Sequence, residues 1–243
     1  MGKVVKNIIL LLLILGLSIS TAFLVYLHFF KSDGRILSGE WTAELDLTEQ
    51  AAVTAFIWLQ DIEAVSVSLE DVESCMRKLT VQVDLNLEAM TDFEGSFRCS
   101  ILPESFNACE QAAYEAFAEV FRELLAERLR MAGYTGGTDK EELEGLVTET
   151  FGMSTVSYLM TCEPALLPPL EDLQAQYDGG GTYEAAEGML TWRYDNGTIK
   201  TENYVWENSS LVLSEEEDSD GQGQKKPALL IFRKQEMSGE EIQ

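Results

Sequence analysis

Apolar and polar residues alternate strictly over "WTAELDLT": Trp41, Ala43, Leu45 and Leu47 fall on one side, Thr42, Glu44, Asp46 and Thr48 on the other. A period of two predicts a half-buried strand from about Glu40 to Leu47. The same period recurs over Leu79–Ala89, where Leu79, Val81, Val83, Leu85 and Leu87 alternate with polar residues, and again over Phe93–Ile101. The "EAMTDFEG" between them reads as an antiparallel connection. Between the first two strands, "EQAAVTAFIWLQDIEA" is apolar around most of its circumference, which predicts a well-covered helix lying across an open end of the sheet. Thr48 is placed to cap it, and Ser68 to cap a second short helix.

The period then changes. From Ser105 or Asn107, either of which could cap it, a long helix runs towards Gly133 with Cys109, Ala113, Phe117, Val120 and Leu124 on one stripe. Glu110, Glu115, Glu119, Glu123 and Glu127 fall largely on the opposite face. Thr138 with Glu141 forms a capping-box pattern for a helix to about Phe151, and further turns follow at Val156–Met160. The helical block spans residues 105–177. Strands return after it, as a meander with turn chemistry at Glu187-Gly188 and Asn196-Gly197. Residues 215–227 read as a mobile polar loop, "PALLIFRK" as the closing strand, and residues 236–243 as a disordered tail. The sum is about eight strands, enough for a small closed barrel.

Ahead of this domain lies Ile8–Phe30, "IILLLLILGLSISTAFLVYLHFF", with no Asp, Glu, Lys or Arg. At about 1.5 Å per residue it can cross a hydrocarbon core of about 30 Å. Small residues at Ser20-Thr21-Ala22 could mark a cleavage site, but the apolar run continues past them, which favours an uncleaved anchor. Lys3 and Lys6 precede the run, so the N-terminus is expected inside and the remaining chain outside. Residues 1–30 are then a transmembrane anchor, 31–38 a tether, and 39–243 an extracytoplasmic domain. The expected fold class is α+β: a transmembrane helix, then an antiparallel β-barrel or strongly curved sheet with an inserted helical block.

Charge and residue content narrow the chemistry. A net charge of −25 over 243 residues opposes binding to nucleic acid. The single histidine, His28, lies in the apolar run, so Ser-His-Asp and Cys-His mechanisms have no base in the outer domain. Acidic residues are too abundant for any pair of carboxylates to stand out as catalytic. The four cysteines, Cys75, Cys99, Cys109 and Cys162, contain no CxxC pair, which argues against zinc and leaves both disulfides and free thiols open. "EEEDSDGQGQKK" mimics the first half of a calcium loop but has Pro227 where the bidentate Glu belongs. No metal, cofactor or catalytic residue is expected. Asn196 and Asn208 match glycosylation acceptors at turn positions. Trp192, Tyr194, Tyr204 and Trp206 fit either an aromatic binding surface or cross-strand packing.

Gly39-Glu40-Trp41 at the start of the first strand resembles the Gly-x-Trp signature of lipocalins and related calycins. "GTYEAAEGMLTWRY" and "LLIFRK" are similar in cadence to bacterial lipocalin-like envelope domains. The resemblance implies that Trp41 closes one end of the barrel with Arg233 packed across its ring; an ordinary core Trp fits the same pattern. The expected function is a membrane-anchored lipocalin-like domain that binds a small apolar ligand or another envelope protein. The alternative is a non-enzymatic structural or interaction module with a filled barrel. The bilayer is the expected partner of residues 8–30.

Overall fold

A computed structural model of the chain describes residues 17–21, 34–60, 68–76, 78–162, 165–207, 209–215 and 230–235. Its strands are β1 (Gly39–Asp46), β2 (Thr80–Ala89), β3 (Glu94–Ile101), β4 (Gly179–Ala186), β5 (Met189–Tyr194), β6 (Ile199–Glu207), β7 (Ser210–Glu215) and β8 (Ile231–Lys234). Each pairs antiparallel with the next, and β8 returns to β1, so eight strands close a barrel in sequence order. The expectation of a barrel or a curved sheet thus resolves to a closed barrel. Alternation builds its wall: Trp41, Ala43 and Leu45 on β1 face inward with Val81, Val83 and Leu85 on β2, while Thr42 and Glu44 face out with Asp84 and Gln82.

Helices interrupt the strand order at two places and precede it at one. A single turn, α1 (Gly34–Leu37), precedes β1; α2 (Thr48–Gln60) and α3 (Leu69–Cys75) join β1 to β2; and α4 (Pro103–Met131), α5 (Lys140–Phe151), α6 (Thr155–Thr161) and α7 (Leu170–Tyr177) join β3 to β4. Both insertions leave from the same end of the barrel. The outer faces of β2 and β3 stay polar and accessible, whereas Ala51, Ala52, Ala55, Phe106, Ala113 and Phe117 share one continuous core with the barrel interior. The helices therefore bury their apolar faces over that end and not along the outer wall. Alanines on the buried side of α2 let its backbone come close. The opposite end carries the short turns β2–β3, β4–β5 and β6–β7, together with α1.

The caps differ in detail from the sequence expectation. Ser68 forms the capping box with Asp71 that opens α3. α4 starts earlier than expected, at Pro103, whose missing N–H costs nothing in the first turn. Ser105 Oγ instead accepts from the Gln82 amide at 2.8 Å, tying α4 to the end of β2. Asp139, not Thr138, caps α5. Thr48 Oγ1 accepts from the Leu79 amide at 2.8 Å, joining the two strand ends.

The expected anchor at residues 8–30 lies outside the described residues except for Leu17–Thr21, which are helical. Among the described residues no helix is long and apolar enough to cross a membrane. Residues 216–229 and 236–243 also lie outside the described residues.

Candidate functional site

Two places in the barrel carry more than packing. The first is the short-turn end. Trp41 is buried there, and its Nε1–H donates to the Leu37 carbonyl at 2.8 Å. The cation over its ring is Lys234, with Nζ 5.4 Å from the centroid. The expected partner, Arg233, is on the other face of β8: it pairs with Thr42 and is exposed. This corrects the sequence reading by one residue. The cause is parity: Phe232 points into the core, so Lys234, two residues on, points the same way and Arg233 points out. On the outer wall Arg233 reinforces the Lys78 ammonium in holding the Glu44 carboxyl below its ordinary value.

The same geometry explains the glycine two residues before Trp41. Gly39 has φ +138, a conformation that side chains avoid, and a Cβ there would stand 2.7 Å from Lys234 Cε. The aliphatic stem of Lys234 crosses the bare glycine on its way to the indole. The Gly-x-Trp pattern is thus a physical unit here: the glycine clears a path, the tryptophan fills the end, and the lysine lies across it. Leu37 is fully buried beside them, so the chain is already part of the core before β1 begins.

The second place is inside the barrel towards the helical end. Phe97 meets Trp192 edge-on at 4.7 Å and Tyr194 at 5.1 Å between ring centroids. Gly179 and Gly181 make room for this cluster. A Cβ on Gly179 would stand 2.7 Å from the Tyr194 ring, and one on Gly181 would collide with the Arg193 carbonyl. Facing the aromatics from β6 is Glu202, buried although charged. Its Oε2 accepts from Trp192 Nε1 at 2.7 Å, and its Oε1 meets Lys200 Nζ at 2.8 Å. A carboxylate inside a barrel costs several kcal/mol if left alone, on the order expected for a buried ion; the indole N–H and the ammonium offset that cost. Lys200 lies opposite Trp192 on the adjacent strand and stays half exposed, so its ammonium reaches both water and the interior.

Cys99 faces this cluster from β3. Burial, followed by the charges of Asp178, Asp84 and Glu202, pushes its thiol up to about 12. Burial also raises the Tyr194 hydroxyl. Cys99, Tyr194, Lys200 and Leu213 all point inward, yet each keeps partial access to solvent. All four are on the last turns of strands at the helical end. Trp41 thus fills one end of the barrel, while at the other these four inward side chains stay partly exposed around Glu202.

The aromatic set noted in the sequence divides accordingly. Trp192 and Tyr204 are buried, Tyr194 is half-buried, and Trp206 is exposed at the short-turn end. Cross-strand packing accounts for the first three. Glu202 and Lys200 escaped sequence reasoning, although the phase of β6 carries them: Tyr204 inward fixes Glu202 and Lys200 on the same side. All four cysteines are free. Among the described residues no group of His, Cys, Asp or Glu could hold a metal ion. Asn196 is exposed in its turn, its Oδ1 accepting from the Thr198 amide at 2.9 Å, while Asn208 and the calcium-like loop lie outside the described residues.

A separate polar network locks the helical block. Arg122 of α4 is buried and bonds Glu119 and Glu144, each at 2.9 Å. Glu144 of α5 also accepts from the Thr155 amide at 2.9 Å and the Thr155 hydroxyl at 2.7 Å, at the start of α6. Burial pushes the Glu144 carboxyl up, but the Thr155 bonds and the Arg122 charge outweigh it and leave it below its ordinary value. Glu119, bonded to Lys140, is also held low. This network holds three helices together.

The fold and the site together define a class: a closed eight-stranded antiparallel barrel, capped by helices at one end and plugged by a tryptophan at the other. That architecture is compatible with a lipocalin-like fold. No family model, curated protein or solved structure matches the chain.

Proposed function

We propose that this protein is a membrane-anchored, lipocalin-like domain on the outer side of the membrane that binds a small, mostly apolar molecule inside its barrel. The observation that carries the reading is the Glu202–Lys200–Trp192 group on an otherwise aromatic and aliphatic interior wall. Binding cavities pair apolar walls with a few fixed polar groups, and a buried ion pair that only packs would be a poor use of a barrel core. The ligand enters at the helical end, past Cys99 and Leu213, and meets the ion pair with its polar end. No enzymatic step is part of this reading. Residues 8–30 anchor the chain, and their length and lack of charge support that role.

The neutral dye N-phenyl-1-naphthylamine tests the binding reading. Its fluorescence should rise to saturation at one dye per chain. Leu213→Trp should abolish the rise by blocking the entrance. A linear, non-saturable response, or a response unchanged by Leu213→Trp, refutes an interior site. Extraction of cell membranes with alkaline carbonate tests the anchor separately: release of the chain into the supernatant refutes it.

One observation favours a second reading, an interaction module with a filled barrel. On the helical block Trp58, Phe121, Tyr158 and Phe151 form a chain of ring contacts, and Ile57, Phe151, Met153 and Met160 are exposed around it. Under that reading an envelope protein docks there and the dye finds no site.

A further inference from the structure

The short-turn end is the end at which the chain arrives. Phe30 is the last residue of the apolar run, and only residues 31–33 separate it from α1 at Gly34. Three residues span about 10 Å at full extension. If residues 8–30 cross the bilayer, the short-turn end must stand against the lipid surface, because nothing between is long enough to hold it away. This inference rests on the anchor proposed above.

That end is unusually apolar for turns. Met90 is 67% exposed and Phe93 37% in the β2–β3 turn; Met189 is 41% exposed at the β4–β5 turn, and Trp206 45% just before the β6–β7 turn. Three separate connections therefore each present a large apolar side chain on the same rim. None of the four is buried by the barrel: Met90 and Met189 point outward, and Phe93 and Trp206 have the inward phase but lie at the rim, where a third or more of each stays exposed. Water-facing turns ordinarily carry Gly, Asn, Asp or Ser. Between the apolar tips lie Glu88, Asp92, Glu94, Glu187 and Glu207.

We propose that this rim seats in the headgroup layer of a zwitterionic bilayer, with Met90, Phe93, Met189 and Trp206 inserted at the acyl boundary. Tryptophan favours that depth, where its ring is buried and its N–H stays wet. The interleaved carboxylates oppose an anionic surface and suit headgroups that carry a cationic amine. The rim then fixes the orientation of the barrel: the Trp41 end is held to the membrane, and the entrance beside Glu202 opens away from it.

The full chain in phosphatidylcholine vesicles tests this. Half the samples contain lipid brominated high on the acyl chain, a short-range quencher of tryptophan emission. The Trp206 contribution, taken as the difference between the parent chain and Trp206→Phe, should fall at least twofold in brominated vesicles. Met90→Glu with Met189→Glu should restore it, since both residues are exposed and their replacement leaves the core intact. Equal Trp206 emission in both lipids, from a chain that pellets with the vesicles after alkaline wash, overturns the seating and leaves the anchor standing. A chain that does not pellet overturns the anchor and the rim seating together.

Discussion

Removing the cation from the barrel plug gives a test that turns on a single residue. The pair to perturb is Trp41 and Lys234, with Arg233 as the control one position away. Trp41→Leu removes the ring, leaves the buried Leu37 carbonyl without the donor it has at 2.8 Å, and opens a partial void. An unsatisfied buried acceptor costs about 1–3 kcal/mol. Loss of aromatic volume adds a share of the roughly 3–5 kcal/mol typical of full truncation, so about 3–4 kcal/mol is expected for this smaller change. Lys234→Met keeps the aliphatic stem over Gly39 and removes only the charge. Its bond to the Ile36 carbonyl, at 3.5 Å, is too long to count for much.

With Nζ 5.4 Å from the ring centroid and the lysine partly exposed, the cation–π term should be about 0.5–1 kcal/mol. That value is the expected coupling in a double-mutant cycle of Trp41→Leu and Lys234→Met, read from urea unfolding of the chain from residue 31 onward. The same cycle with Arg233→Met should be additive within about 0.3 kcal/mol, because that side chain is on the opposite face of β8. Coupling to Arg233 with none to Lys234 would mean that β8 is out by one residue. The inward position of Phe232, and the closure of the barrel with it, would then be wrong.

Three further outcomes follow from the packing. Starting the chain at Gly39 instead of residue 31 should cost about 2–5 kcal/mol in the same unfolding assay, since it removes the fully buried Leu37 and orphans the Trp41 N–H. Cys99 and Cys109, whose thiols burial pushes up to about 12 and about 11, should resist iodoacetamide at pH 8 in the folded chain and react once it is unfolded in urea. Glu144, held below its ordinary 4.5, contributes stability that is present above that pH and lost as pH falls through its lower folded value; Glu144→Gln should therefore flatten the acid side of the stability profile below about pH 4.5 as well as lowering stability at pH 7.

Most of the barrel wall was legible because its strands have one apolar phase each. β1 and β2 put every apolar residue on one face, so their inward sets could be read without a structure. β8 resists that reading. "LLIFRK" carries apolar residues in both phases, Leu230 with Phe232 and Leu229 with Ile231, and its last two residues are both basic. The seams with β1 and β7, two and three residue pairs long, decide between them. The helix starts failed for a related reason: Ser105 and Thr138 have cap chemistry, but Ser105 is taken by the Gln82 amide, and Thr138 accepts from Arg130 at 3.0 Å while its neighbour Asp139 caps. Arg122 of α4 drew no reading from the sequence. It is buried because α5 and α6 return over it, a tertiary fact with no local signature. Glu202 was the costliest omission, since a charge at an inward phase is the plainest mark that a strand pattern can give of something other than core.

The unlike ends of the barrel bear on which reading of function deserves the first experiment. An eight-stranded barrel is just wide enough to be filled by side chains or to hold one small ligand, so strand number decides nothing. The distribution of polar groups is more informative. At the short-turn end Trp41, Leu37 and Lys234 form a plug whose N–H, carbonyl and charge are matched within the chain. At the helical end the matching is poorer by design of the fold: Glu202 is buried, its lysine partner is half in water, and four inward side chains remain accessible beside it. A barrel built only to be rigid gains nothing from that arrangement, because Glu202→Leu and Lys200→Leu, made together with Trp192→Phe so that no indole N–H is orphaned, would fill the same space without the desolvation cost. The triple substitution therefore separates the readings. An interaction module should become more stable, by about 1–4 kcal/mol, and keep its other properties. A binding barrel should also gain stability but lose saturable uptake of the naphthylamine dye. Loss of stability in the triple variant would refute both accounts of the ion pair, since it would show that the charges themselves hold the wall together.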